Sequence, residues 1–226
     1  FATNQYLYKS MSYKPEDFTG IILLAQFPNA LMVNKDLPVK SVAELVEYGK
    51  RNPNALNGGS SGAGSSGHLS IEMFKAITGT PVQNVFYQGA APTKVDLASG
   101  RIQMVIDNIP GYLSEVQSGA VRLMAVGTRS RLPSFPDAPT LDEAGVKGYE
   151  SSVWYAMAAV KGTSPAIIQR ANTASQAALK QPDIQERMKQ LHGIIMSGSP
   201  DDANRYFADE SRRWKGIIEK TGIKLE

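Results

Sequence analysis

Nine consecutive residues, Gly59 to Gly67, are drawn only from Gly, Ser and Ala, and an apolar pattern at helical spacing (Leu69, Met73, Phe74, Ile77) begins just beyond them. This pattern predicts a small-residue loop feeding a helix, with Ser65 and Ser66 both suited to the N-cap. Glycine brings backbone close to a ligand, because it lacks a Cβ and tolerates positive φ. The helix behind the loop offers N–H groups without intrahelical partners, and the positive end of its dipole. Loop and helix together make an anion site, most simply for a carboxylate or a phosphate.

Other readings compete for the same stretch. Gly62-Ala63-Gly64-Ser65-Ser66-Gly67 matches G-x-G-x-x-G, but a dinucleotide site needs an acidic residue about 20 positions on to hold the ribose. That region here is VQNVFYQG, without a carboxylate. Gly58-Gly59-Ser60-Ser61-Gly62 matches the G-x-S-x-G of a serine hydrolase, which needs an acid and then a His later in the chain. His192 is the only His late enough, and it lies in the charged stretch ERMKQLHG. A serine hydrolase and a nucleotide-dependent enzyme therefore stand as the alternatives to a binding function, each short of its second element. A flexible surface linker fits poorly, because apolar strand-like and helical segments flank the loop directly.

Composition narrows the classes further. Apolar residues are 42% and charged residues 20% of 226, an ordinary globular balance for one large domain or two modest ones. The net charge is only +3, and the basic residues are scattered beside acids without interleaved aromatics, which argues against nucleic-acid binding. With no Cys there are no disulfides or thiolate metal sites, and two distant His make a zinc site a poor expectation. No apolar run is long enough to span a bilayer, and no signal-peptide pattern is visible.

Along the chain, Gly20–Gln26 (GIILLAQ) is predicted to be a buried strand, broken by Phe27-Pro28-Asn29 before a second strand at Ala30–Asn34. Ser41 to Glu44 is a capping box opening a helix to about Arg51. Strand and helix then alternate: Val82–Tyr87, Gly89–Ser99, Ile102–Asp107, a short helix after Pro110, and Val121–Val126. That alternation predicts α/β layers with a largely parallel sheet. A second capping box at Thr140 to Glu143 predicts a helix stopping at Gly145, and Tyr149–Val160 a long strand. Helices start at Ser164-Pro165, Pro182 and Ser199-Pro200, with a short strand at Ile194–Met196. The closing helices are expected to be packing scaffold.

The order of these blocks resembles the Bug-type solute-binding proteins of tripartite tricarboxylate transporters. The matching stretches are PEDFTGIILLAQFPNALMVN, SVAELVEYGKRNP, LNGGSSGAGSSGHLSIEMFK, VFYQGAAPTKVDLASGRIQMVIDN, RLMAVGTRSRLPSFPDAPTLDEAG and RRWKGIIEKTGIK. The resemblance implies a periplasmic, non-catalytic binding protein of α/β class, with two lobes closing over a small carboxylated solute. It also implies membrane transporter subunits as partners, and no metal or organic cofactor. A sensor rather than a transport role stands as an alternative, and a dicarboxylate, tricarboxylate, acidic amino acid or aromatic acid would each suit the loop. Family members normally carry an early Pro-Phe-x-x-Gly-Gly loop supplying half of the carboxylate site. No stretch here matches it, so the chain is expected to correspond to the family from partway through a first lobe truncated at its N-terminus. In that scheme residues 1–24 are the remainder of the first lobe, 25–127 mainly the second lobe, and 128–226 a crossover strand and helices returning to the first.

The ligand residues this implies are Ser60, Ser61, Gly62, Ala63, Gly64, Ser65, Ser66 and His68 on the loop, with Asp107 and Asn108 after a strand, Tyr87, and Phe27. His68 either touches the solute or caps and packs. Asp107 either receives an amino or hydroxyl group or caps the next turn. Tyr87 either lies on the ligand or belongs to the core, where tyrosines are commoner. Trp154 is open between the same two roles. The loop has no basic residue between Asn57 and His68, so a carboxylate would be anchored by N–H groups and hydroxyls alone.

Overall fold

The computed structural model describes residues 1–225. The chain divides into two compact units, one of Phe1–Phe27 with the chain from Trp154 onward, the other of Pro28–Val153. The division lies beyond the expected boundary at 127/128. Residues 128–153 belong with the second unit because Leu132, Leu141, Val146 and Tyr149 are buried there and Thr140 bridges Val126.

The second unit is built on a mixed sheet. Its strands are the later part of β1 (Phe18–Asn34), β2 (Asn57–Ser60), β3 (Gln83–Phe86), β4 (Met104–Asn108) and β5 (Val121–Val126), in the order β3-β2-β4-β1-β5. β2 runs parallel to β3 and β4, whereas β1 is antiparallel to β4 and β5. The sheet is thus less parallel than the alternation of elements predicts. Helices α2 (Val42–Arg51), α3 (Ser66–Thr78), α4 (Ala90–Ser99) and α5 (Leu113–Gln117) complete the unit. α2 begins as expected, with Ser41 Oγ accepting the Glu44 N–H at 3.1 Å.

β2 reads Asn-Gly-Gly-Ser because two helices lie directly on its backbone. A Cβ on Gly58 would come within 2.8 Å of Val82 and 3.1 Å of Ile71, and one on Gly59 within 2.8 Å of Thr93 Cγ2. Ala30, Met32, Leu97, Ile102, Val105, Ile109, Tyr112, Val121, Val126 and Leu132 close the core on the α4 side. Burial of each large apolar side chain contributes about 1.5–3 kcal/mol.

Two local expectations are corrected. β1 is one strand, unbroken at Phe27-Pro28-Asn29. Pro28 falls between Gln26, the last residue paired with β7 (Ile194–Ser197), and Asn29, the first paired with β4, so its missing N–H lies at the change of partner between the two ladders. The Thr140 box forms reciprocal bonds of 3.0 Å with Glu143, yet only a turn follows. One hydrogen-bonded turn does not outweigh nucleation where Gly145 takes φ of 100°.

In the first unit β1 pairs with β7 through Leu23, Ala25 and Gln26, and β6 (Ser152–Val160) also pairs with β1. Helices α1 (Asn4–Leu7), α6 (Pro165–Leu179), α7 (Pro182–Gln190) and α8 (Pro200–Thr221) pack around these strands. α8 buries Ala203, Trp214 and Ile218. α6 is held by a polar residue instead: Asn172 donates to the Ile21 and Gly198 carbonyls at 2.8 and 2.9 Å, while Ile167 is exposed. Among the described residues no helix is long and apolar enough to cross a membrane.

Candidate functional site

Because β2, β3 and β4 run the same way, their carboxyl ends (Ser60, Phe86 and Asn108) share one edge of the sheet. Open α/β sheets place ligands at this kind of edge. The register sets Ser60 beside Phe86 and Asn108 opposite Asn29. The edge therefore gathers the predicted residues Ser60–Ser66, His68, Tyr87, Asp107 and Asn108 in one unit. Phe27 belongs to the other unit, where its ring meets Tyr155 edge-on at 5.7 Å.

The loop from Ser61 to Ser65 turns with Gly62 and Gly64 at φ of 143° and 75°, conformations a side chain would strain. It is tied down by its neighbours: Tyr87 N–H donates to the Ser60 carbonyl at 2.9 Å and Gly89 N–H to Ser61 at 3.2 Å. Ser65 is the N-cap of α3, its Oγ accepting from His68 N–H at 3.3 Å. The N–H groups of Ser66 and Gly67 have no intrahelical acceptor and lie at the positive end of the helix. Nearby α4 begins at Gly89 without a side-chain cap. The edge thus presents two helix starts and little competing charge.

His68 is committed to the loop. Its Nδ1 accepts the Gly64 N–H at 3.0 Å, so the ring is neutral with its proton on Nε2, and it meets Phe86 edge-on at 4.9 Å. Burial pushes its pKa down, the largest influence on it. A native pKa below the unfolded value of about 6.5 means that the unfolded chain binds the proton first as pH falls. His68 is expected to contribute stability in full above about pH 6.5, lost as pH drops through that value toward the lower native pKa. Urea titrations from neutral to acid pH should show this loss, and His68→Asn, which keeps an acceptor for Gly64, should reduce it. Burial lowers His192 in the other unit too, so part of the slope will remain.

Tyr87 belongs to the packed side of the sheet. Its ring joins the α4-side core, and its hydroxyl donates to Asp96 at 2.8 Å. Burial, followed by that bond, pushes its pKa up to about 12. The exposed aromatic at the rim is its neighbour Phe86. Trp154 stacks on Phe207 in the first unit, 5.5 Å between centroids, and donates to Glu210 at 3.3 Å.

Asp107 is 1% exposed. Its Oδ1 accepts the Asn108 N–H at 2.8 Å and the Asn108 amide at 3.0 Å, and the Tyr112 hydroxyl acts on the buried carboxylate as a further donor. Burial raises its pKa, against the lowering effect of those bonds. Sequence reasoning missed a buried polar group between β1 and α3. Asn29 is fully buried, donates to Ser70 Oγ at 3.0 Å and leaves its own Oδ1 unpartnered. Tyr149 donates to the Ser70 carbonyl at 3.0 Å, with Ser151 on its hydroxyl at 3.2 Å. The signal was a lone Asn inside an apolar run, which the expected strand break at Pro28 disguised.

As a hydrolase elbow the site lacks parts. Ser60 Oγ is fully buried and faces the Gly62 carbonyl at 3.4 Å. His68, the one His of this unit, spends its acceptor on Gly64. Among the described residues no cluster of three His, Asp or Glu could hold a metal.

Comparison with known proteins assigns the chain to a family. Residues 1–223 match the model of the tripartite tricarboxylate transporter family receptor, TctC. The chain belongs to this family. Protein BugT of Bordetella pertussis is 32% identical over 221 residues, 97% of this chain and 68% of BugT. A protein of Agrobacterium vitis is 32% identical over 225 residues, covering 98% of this chain and 65% of its own length. The chain therefore spans about two thirds of the curated relatives it matches. Among solved structures, R. palustris Rpa4515 with adipate superposes with a TM-score of 0.90 at 39% identity, over 99% of this chain and 75% of that one. The periplasmic binding protein BugD gives 0.90 at 30%, covering 100% and 76%. MatC from Rhodopseudomonas palustris, with bound malate, gives 0.85 at 26%, over 94% and 74%. The family receptor has the expected α/β binding-protein fold. The family is one of solute-binding receptors rather than enzymes, and the hydrolase and dinucleotide alternatives fall with that assignment.

Proposed function

We propose that this chain serves a periplasmic receptor which captures a small carboxylic acid and delivers it to a tripartite tricarboxylate-type membrane transporter. The solute carboxylate docks on the loop Ser60–Gly67, accepting from the Ser66 and Gly67 N–H groups at the start of α3, with the Ser61 and Ser66 hydroxyls beside it. The observation that carries this reading is a helix start with free donors, set at the carboxyl edge of three parallel strands and free of lysine and arginine. Helix N-termini in such positions serve anions. The solutes named for Rpa4515 and MatC, adipate and malate, are small dicarboxylates and fall in the same class. Asp107 and Asn108 form the far wall of the site, and Phe86 its exposed rim.

Thermal melting of this chain against adipate, malate and their uncharged diamides tests the proposal. A ligand at a hundred times its Kd stabilises the native state by about 2.7 kcal/mol. For a chain of this size that is a rise of roughly 5–10 °C. The acids are expected to raise the melting temperature and the diamides to leave it unchanged. Equal shifts from acid and diamide would show that the site does not select a carboxylate.

A further inference from the structure

We propose that Phe86 selects the solute by polarity: the site prefers carboxylates whose chain beside the anchored carboxylate is bare hydrocarbon, aliphatic or aromatic, over hydroxy acids of the same length and charge. This rests on the carboxylate reading above and adds the class of solute the site takes.

The strand sets Phe86 beside the binding loop. It is the last residue of β3, opposite Ser60 in the register, and the N–H of the next residue, Tyr87, donates to the Ser60 carbonyl at 2.9 Å. Its ring meets His68 edge-on at 4.9 Å, and His68 Nδ1 in turn accepts the Gly64 N–H at 3.0 Å. One imidazole therefore separates the phenyl ring from the turn of the loop. Phe86 is 51% exposed, whereas every other aromatic residue of Pro28–Val153 is buried or half-buried. Single apolar side chains scattered over a surface need no explanation, but this one stands at the edge of the sheet where the helix start waits for its anion.

The surroundings of the ring are poor in polar groups. From Gly59 to Gly67 the one exposed residue is Ala63, and from Phe86 to Pro92 the exposed ones are Phe86, Gln88, Ala91 and Pro92. The nearest cations along α4 and beyond are engaged, Lys94 with Glu115 at 3.3 Å and Arg101 with Asp96 at 2.9 Å. A solute held by the Ser66 and Gly67 N–H groups thus meets donors at its carboxylate and hydrocarbon next to them. Moving one methylene from water onto apolar surface improves affinity by up to about fourfold. A hydroxyl in the same place loses its water without gaining a partner, which weakens binding instead. Fully apolar pockets reject an added hydroxyl by about a hundredfold, and a ring open on one side should give roughly tenfold.

Isothermal titration of the whole chain with adipate and with mucate, its tetrahydroxy counterpart, tests this, since the two acids share length and charge. The unaltered chain should bind adipate roughly tenfold more tightly. Phe86→Ala should bring that ratio toward one by weakening adipate, and Phe86→Leu, which keeps a hydrocarbon surface, should preserve it. A ring that only braces His68 and the loop would weaken both acids alike in Phe86→Ala, and the unchanged ratio would overturn the inference. Equal binding of the two acids by the unaltered chain, or a preference lost in the leucine variant, would overturn it as well. In each of those outcomes the acids still bind, and the carboxylate reading stands. If no acid binds, or if the diamide of adipate binds as well as adipate, the carboxylate reading falls, and this inference with it.

Discussion

Gly59→Val is expected to destabilise the Pro28–Val153 unit by about 3 kcal/mol, the upper end of the ordinary cost of overpacking a core. A Cβ at this position already overlaps Ile102 Cδ1 and stands 2.8 Å from Thr93 Cγ2 and 3.4 Å from Tyr87. Ile102 is 2% exposed and Thr93 fully buried, so neither has anywhere to go, and valine adds two further carbons. α4 would have to lift from the sheet, carrying Gly89 and the support of the binding loop with it. Urea denaturation should show a lower midpoint at unchanged slope. Gly216→Ala is the matched control. A Cβ there meets nothing within 4 Å, and helix propensity predicts a gain of about 1 kcal/mol. An unchanged midpoint in Gly59→Val would mean that α4 does not lie on β2 as described.

Gly67→Val should remove carboxylate binding at some cost in stability. The Cβ itself is in ordinary contact, 3.4 Å from the Ile106 carbonyl and 3.5 Å from Asp107, but the two further carbons of valine press on the same buried neighbours, at about 1–3 kcal/mol. They crowd the first turn of α3 against β4 and so displace the Ser66 and Gly67 N–H groups that take the carboxylate. Charge-assisted hydrogen bonds contribute about 1.5–3 kcal/mol each. Losing two of them weakens binding by roughly a hundredfold or more. Isothermal titration with adipate measures this directly, and Gly67→Ala, with a smaller group in the same space, should lose less. Undiminished affinity in the valine variant would move the carboxylate away from α3.

The parts of this site that were legible in the sequence are those with local causes. The loop at Gly59–Gly67, the cap at Ser65 and the helix from Ser66 follow from composition and spacing within twenty residues, and they form as expected. Strand ends also placed Asp107 and Asn108 on the same edge as the loop. What was not legible depends on partners distant in the chain. Pro28 looks like a break because the change of partner from β7 to β4, which makes it harmless, involves residues far downstream. Asn29 and Ser70 meet across forty-one positions, and nothing local announces their bond. Tyr87 and Phe86 illustrate the period of a strand: consecutive side chains take opposite faces, so choosing the wrong one of the pair exchanges a core ring for the rim ring. His68 was open between ligand and brace until the turn of the loop brought Gly64 N–H onto its Nδ1.

The central claim is that backbone N–H groups at the start of α3 hold the solute carboxylate. Heteronuclear NMR of isotope-labelled protein, titrated with adipate, tests it most directly, because an amide proton that gains a charged acceptor moves far downfield. The account predicts the largest downfield shifts at Ser66 and Gly67, and none comparable in α6 or α7. Saturable binding with those two amides unmoved would contradict it.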